Sequence, residues 1–181
     1  LWDRTGRWQL LGKQEKLMYQ FEGHSGGSIG LAATHEEPFT DIARDFISSY
    51  KDLPKAIYQF QRKFRDELRP KSGLVRLCEF SMKDLYSFHD SEEDLQRYYE
   101  RVKIAYLKIF KRCGLQAMVV EASGGIFTKN VSHEFQVLDP FGEDKIFYCE
   151  KCHWAQNQEI AKLSQGDPCP FCKAEISAGT G

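Results

Sequence analysis

This chain has no long apolar run, no surplus of either charge, and no repeated or low-complexity tract. Each absence removes a class of protein. No stretch approaches the ~18 consecutive apolar residues of a membrane-spanning helix, and no charged-then-apolar start marks a secretory signal. The expected compartment is therefore the cytoplasm, with no membrane partner. With 25 Lys and Arg against 26 Asp and Glu, the formal net charge is -1, so no global basic field attracts nucleic acid and any such contact is local. The glycines of Gly23-His24-Ser25-Gly26-Gly27 precede neither Gly-Lys-Ser/Thr nor a suitably placed helix start. That excludes a phosphate-binding P-loop and leaves a turn. What is present is globular: 41% hydrophobic and 28% charged residues in a chain of 181, enough for one core and a small appendage.

Periodicity divides the chain. Residues 1–14 read as a helical or turn start, followed by a hairpin with strands at 16–22 and 28–33. Thr34 with Glu37 three residues on forms a capping box for a helix. Phe39, Ile42, Ala43, Phe46 and Ile47 make the apolar face of that helix. A second helix starts at Ser91 with Asp94 as capping partner. Its buried stripe is Leu95, Tyr98, Tyr99, Val102, Tyr106, Ile109 and Phe110, and Gly114 stands past its end. The outer face carries Arg97, Arg101, Lys103, Lys108, Lys111 and Arg112, either a solvated face or an RNA-facing one. Further strands are expected at 115–121, 125–128 and 133–139. Hairpins alternating with helices favour α+β, an antiparallel sheet flanked by helices, over a doubly wound parallel sheet.

The central segment carries the chemistry. Strands at about 57–67 and 74–88, joined by a Pro- and Gly-containing turn over 68–73, form an antiparallel hairpin. Side chains two or four apart on a strand share a face. Arg65 and Glu67 therefore point one way on the first strand, while Arg76, Phe80 and Asp84 point together on the second. Guanidinium groups, carboxylates and an aromatic plate on one surface suit a nucleotide, with Arg for phosphate oxygens and the ring for a base.

A composition shift near Phe141 marks a second module. Cys149-x2-Cys152, sixteen residues, then Cys169-x2-Cys172 has zinc-ribbon spacing. Each Cys-x-x-Cys knuckle aims two thiolates at one point, and two knuckles complete a tetrahedron with no open position, so the zinc is structural. Two disulfides or free thiols are the alternative for these four residues. Cys78 and Cys113 stand apart as reduced thiols. The expected organisation is a core over 1–141 and a zinc-ribbon module over 142–181.

Phe64-Arg65-x-Glu67 followed by Arg76-x-x-x-Phe80-x-x-x-Asp84 resembles motif 2 of class II aminoacyl-tRNA synthetases. Further segments narrow the resemblance to the prolyl-tRNA synthetases, over about residues 1–148. They are Ala33-Thr34-His35-Glu36-Glu37, Tyr58-Gln59-x-Gln61-x-Lys63-Phe64-Arg65-Asp66-Glu67, Phe80-Ser81-Met82-Lys83-Asp84-Leu85-Tyr86-Ser87-Phe88 and Ser132-His133-Glu134-Phe135. The family joins ATP and proline into prolyl-adenylate and passes the prolyl group to tRNA. The resemblance implies that Arg65 bridges the α-phosphate and the proline carboxylate as the catalytic residue. It also implies that Glu67 accepts from the adenine amino group, Phe80 stacks on adenine, and Arg76 reaches the β- and γ-phosphates. Thr34 and Glu36 match the pair that holds the secondary ammonium of proline, with Asp84 a further acid at that end. Met82, Phe80 and His133 would line the pyrrolidine slot, and Mg²⁺ would accompany ATP. The implied partners are ATP, proline and the proline tRNA, with a homodimer in the longer protein.

Some features depart from the family. Cys78 stands where bacterial relatives usually carry Arg, and Ala33 replaces a frequent Pro. The zinc ribbon occupies the region of the bacterial editing insertion. No third class II motif and no anticodon-binding domain are seen, so the expected entity is a catalytic-core fragment with weak or no activity alone. The competing readings are a non-catalytic synthetase-like module that binds RNA or protein, and a zinc-ribbon nucleic-acid protein. Retention of Thr34, Glu36, Arg65, Glu67, Arg76 and Phe80 favours the ligase.

Overall fold

A computed structural model describes every residue except those at 69, 71, 72, 126, 127 and 129. The expected 68–73 turn and the 125–128 strand therefore fall partly outside the described residues. The chain forms two compact units, Leu1–Leu95 and Gln96–Gly181.

The first unit opens on a short helix α1 (Arg7–Gln9) continued by one π turn over Leu10–Gln14, which buries Leu11 completely. A hairpin follows, β1 (Gln20–Glu22) and β2 (Ser28–Gly30), with Phe21 opposite Ile29 and Gly26 in the left-handed conformation at its tip. It is shorter than the periodicity implied. Gly30 is required here: a Cβ would meet the Trp8 ring at 2.8 Å and the Met18 sulfur at 2.9 Å.

Helix α2 (Glu36–Phe46) corrects the expected cap. His35, not Thr34, is the N-cap, and no side chain caps it. The capping groups are engaged elsewhere: the Thr34 hydroxyl donates to Glu36, and Glu37 accepts from Thr5 and pairs with Arg7. Of the expected apolar face only Phe39 and Ala43 are buried, whereas Ile42 and Phe46 are exposed.

Strands β3 (Lys55–Phe64) and β4 (Glu79–Phe88) pair antiparallel over ten residues. Their register sets Lys63 opposite Phe80, Gln61 opposite Met82, Gln59 opposite Asp84 and Ile57 opposite Tyr86. Residues directly opposite share a face, so these eight side chains form one surface. The other surface presents Tyr58 and Phe60 to solvent.

Helix α3 (Glu92–Arg112) is capped by the Ser91 hydroxyl, which accepts from the Asp94 N–H, and ends at Gly114 with φ +78°. Its stripe is less covered than expected. No residue of α3 is fully buried, and Tyr99 and Ile109 are exposed. Phe135 packs on Tyr106 and Phe110, at 5.0 and 5.7 Å between ring centres, so only a narrow strip is shielded.

The second unit holds one five-stranded sheet. Its strands are β5 (Met118–Ser123), β6 (Val131–Gln136), β7 (Lys145–Tyr148), β8 (Ala155–Asn157) and β9 (Ser177–Thr180), in the order β6-β5-β8-β7-β9. All pairings are antiparallel except β5 with β8, joined through Glu121 and Gln156. The architecture is α+β, as expected, and the strands of the cysteine-bearing segment share a sheet with β5 and β6. Val120, Ile146 and Ala155 form one core; Phe147, Cys149, Cys169 and Ile176 form another. No helix among the described residues is long and apolar enough to cross a membrane.

Candidate functional site

The paired part of β3 and β4 ends at Phe64, one residue short of Arg65. Backbone bonds carry the order onward: the Arg65 N–H donates to the Cys78 carbonyl at 2.9 Å and the Asp66 N–H to the Leu17 carbonyl at 2.8 Å. The Arg65 side chain is thereby launched from a fixed point. Its Nε donates to the Ala33 carbonyl at 3.3 Å, and its guanidinium lies 5.3 Å from the centre of the Phe80 ring. Arg65, Glu67, Leu74, Arg76, Leu77 and Phe80 line one cleft of about 350 Å³, which Val75 also borders. The four side chains expected to hold a nucleotide thus share one concavity, although Arg76 sits off the strand and not on it.

On its other side, Arg65 grips the chain just before Thr34. Thr34 is buried and donates to Glu36 Oε2, which also pairs with Arg7 Nη1 at 3.3 Å. A hydroxyl and a carboxylate held two residues apart at the start of a helix can accept from a cationic N–H group. Arg65 joins that loop to the aromatic cleft, so the two expected subsites meet at one guanidinium.

Asp84 is placed differently from a substrate-facing acid. Its Oδ1 accepts from Lys63 Nζ at 2.9 Å. Its Oδ2 accepts from Lys63 Nζ at 2.8 Å, Gln59 Nε2 at 3.1 Å and the Tyr86 hydroxyl at 2.8 Å. Burial favours its neutral form, but the bonds from Lys63, Tyr86 and Gln59 outweigh that and hold its carboxyl below the ordinary range. Burial and the Asp84 carboxylate in turn push the Tyr86 phenol far up, so it stays protonated. Lys63 is 1% exposed. Sequence reasoning missed Lys63 and Tyr86 as site elements. The signal was available, because Gln59 and Lys63 on one strand alternate in phase with Asp84 and Tyr86 on the other. Met82 shares this surface and is half-buried.

His133 lies on β6 in the second unit, opposite Glu121, with its Nδ1 3.0 Å from the Tyr99 hydroxyl. Burial, then the charge of Lys103, lowers its pKa below the usual histidine value.

The four cysteine sulfurs of the second unit lie within 4.8 Å of one another, with Cys149 and Cys172 at 3.4 Å and Cys152 and Cys169 at 3.6 Å. Zinc–thiolate bonds of about 2.3 Å require tetrahedral edges of about 3.8 Å, so the cluster is compatible with that ion. Both knuckles fold alike. The residue after each second cysteine, His153 or Lys173, takes a positive φ of 61° or 63° and donates its N–H to the carbonyl of the first cysteine. His153 is not part of the sulfur cluster.

Comparison with known proteins follows the same lines. A family model described as tRNA synthetase class II core domain (G, H, P, S and T) matches residues 19–164. A proline–tRNA ligase of Sulfurihydrogenibium sp. (strain YO3AOP1) is 50% identical over 163 residues, covering 90% of this chain and 28% of the relative. That of Persephonella marina is 49% identical over 162 residues, again 90% and 28%. The chain therefore spans little more than a quarter of the length of these relatives. Among solved structures, a prolyl-tRNA synthetase from Cryptosporidium parvum complexed with L-proline and AMP shares the fold with a TM-score of 0.60 at 16% identity, covering 70% of this chain and 27% of that one. The RNA binding domain of threonyl-tRNA synthetase from the same organism does so at 0.52 and 17%, over 67% and 30%. With most of its length matched by that family model, the chain belongs to the class II tRNA synthetase core family.

Proposed function

We propose that this chain is part of the catalytic core of a proline–tRNA ligase, dividing into a core over 1–141 and a zinc module over 142–181. The observation that carries the reading is the double engagement of Arg65, which borders the Phe80 cleft and holds the Ala33 carbonyl beside Thr34 and Glu36. Adenine stacks on Phe80 with its amino group donating to Glu67, and Arg76 meets the β- and γ-phosphates. Thr34 and Glu36 accept the two N–H donors of proline's secondary ammonium, and Met82 borders the ring. The proline carboxylate oxygen then attacks the α-phosphorus. The new carboxyl–phosphate bond forms as the α–β bridging P–O bond breaks, and pyrophosphate leaves with its electron pair. Arg65 touches both reactants and stabilises the charge that grows at phosphorus; no covalent enzyme intermediate is required.

Mg²⁺ bound with ATP would offset the charge of the leaving phosphates, beside the Arg76 guanidinium. Zinc on Cys149, Cys152, Cys169 and Cys172 is structural, since four thiolates leave no position for a substrate. Transfer to the proline tRNA, a homodimeric assembly and a cytoplasmic location belong to the same reading.

Proline-dependent exchange of labelled pyrophosphate into ATP tests it, on this chain and on one extended beyond Gly181. The expected result is weak or no exchange by the 181 residues and clear exchange by the longer chain. Exchange absent from both would replace the ligase with a non-catalytic, synthetase-like binding module.

A further inference from the structure

We propose that Lys63, Asp84 and Tyr86 form a buried positioning relay that sets the Thr34–Glu36 loop, with Asp84 acting through Tyr86 and not on the substrate. The substrate half of this inference rests on the ligase reading above.

The first support is the engagement of Asp84. A carboxylate offers about four acceptor sites. Asp84 receives two contacts from Lys63, one from Gln59 and one from Tyr86. Oδ2 is fully engaged by three of these donors and Oδ1 is held by Lys63, so the carboxylate is committed chiefly to groups of the protein. Lys63 is 1% exposed and the Asp84 side chain 10%, so the two charges cancel within the protein with little access to solvent. Buried ion pairs are poor stabilisers, and apolar replacements are often neutral or better. A pair kept in such a place fits a role in fixing geometry.

The second support is where the relay leads. The Tyr86 hydroxyl spends its proton on Asp84 Oδ2 at 2.8 Å, which leaves its oxygen to accept from the His35 backbone N–H at 3.3 Å. The ring is stacked on Phe39 of α2, 4.6 Å between centres. His35 stands between Thr34 and Glu36, so the peptide that Tyr86 holds is the one that sets the spacing of hydroxyl and carboxylate. Arg65 holds the same loop from the other side through Ala33. The loop is therefore pinned at Ala33 by the arginine and at His35 by the phenol.

The test compares two variants of the chain. Tyr86→Phe keeps the ring and its stack on Phe39 and removes only the hydroxyl. Amide exchange at His35, followed by NMR, should accelerate about fivefold or more, and proline affinity in the same spectra should fall about five- to tenfold, while ATP affinity holds within about twofold. A merely weakened fold would lose both ligands together, and that result overturns the relay. So does unchanged exchange at His35. Asp84→Asn retains shape and one acceptor for the phenol. It should show the same effects in the same direction, smaller in size. Loss of proline binding in this variant with no change at His35 would instead make Asp84 a direct ligand and overturn the proposal. Should the unsubstituted chain take ATP but no proline, proline binding is read on the chain extended beyond Gly181, and its absence there ends the ligase reading. The exchange rate at His35 in Tyr86→Phe then decides the relay alone, faster exchange sustaining it and unchanged exchange ending it.

Discussion

Arg65 and Phe80 divide the work of the cleft in a way that single substitutions separate. Phe80 is read as the adenine platform and only an edge of the pyrrolidine slot, so Phe80→Ala should weaken ATP binding by about 1–3 kcal/mol and proline binding by less. Arg65 serves both sides, so Arg65→Ala should lower activation by about 10²- to 10³-fold in a chain that shows exchange, with both ligands affected. Equal loss of proline affinity in the two variants would contradict this division. His35 supplies a pH dependence. Burial, then the charge of Lys63, lowers its pKa, and its Nδ1 is buried with no hydrogen-bond partner among the described residues. The unfolded chain therefore takes up this proton first as the pH falls. The stability contributed by neutral His35 is complete above about 6.5 and is lost as the pH drops through the lower folded value. His133 acts in the same direction. Asp84 adds a second loss in stronger acid, since its depressed pKa contributes stability above about 3.9 that disappears on protonation. The melting temperature should therefore fall between about pH 7 and 5.5, and fall less in His35→Gln. A melting temperature that rises over this range would refute the assignment.

At the scale of elements, strands were more legible than helix ends. The alternation on β3 and β4 put Phe80, Met82 and Asp84 on one face, and the pairing register agrees. Arg65 and Glu67 were read as strand residues, yet β3 stops at Phe64 and both stand just beyond it. The Thr34 capping box failed for a specific reason: the Thr34 hydroxyl is taken by Glu36 in the first turn, and Glu37 is taken by Thr5 and Arg7, which are distant in sequence and leave no local signature. The stripe on α3 was legible as a pattern, but a pattern does not say how wide the covering surface is. The ribbon was legible because two Cys-x-x-Cys knuckles carry their geometry in their spacing. Two of the four cysteines, Cys149 and Cys169, sit in its small core, so this segment should depend on metal for its order. The chain is expected to carry one zinc per molecule, and chelation or Cys169→Ser should abolish amide protection in β7 and β9. Protection that persists after complete chelation would show that the sheet alone holds the segment.

At the scale of the molecule, the chain carries the Arg65 cleft and the Thr34–Glu36 loop in its first unit and the sulfur cluster in its second. It spans just over a quarter of its relatives' length, so the activity of the whole is a property to be measured on the longer protein. Pyrophosphate exchange by the extended chain, set against the 181 residues, is the measurement at this scale.

The sequence by itself determined whatever depends on local backbone geometry. Strand parity assigned side chains to faces, the spacing of four cysteines brought their sulfurs into one cluster, and Gly114 marked the end of a helix. Only the tertiary structure decided which groups remain available for chemistry. Asp84 looks free in sequence and is engaged by Lys63, Gln59 and Tyr86 in space; Lys63, charged in sequence, is buried. Both outcomes come from side chains on β3 and β4 meeting across a register that long-range pairing sets. Hydrogen-bond capacity is consumed by whatever lies nearest, and nearness across strands is not written in any local pattern.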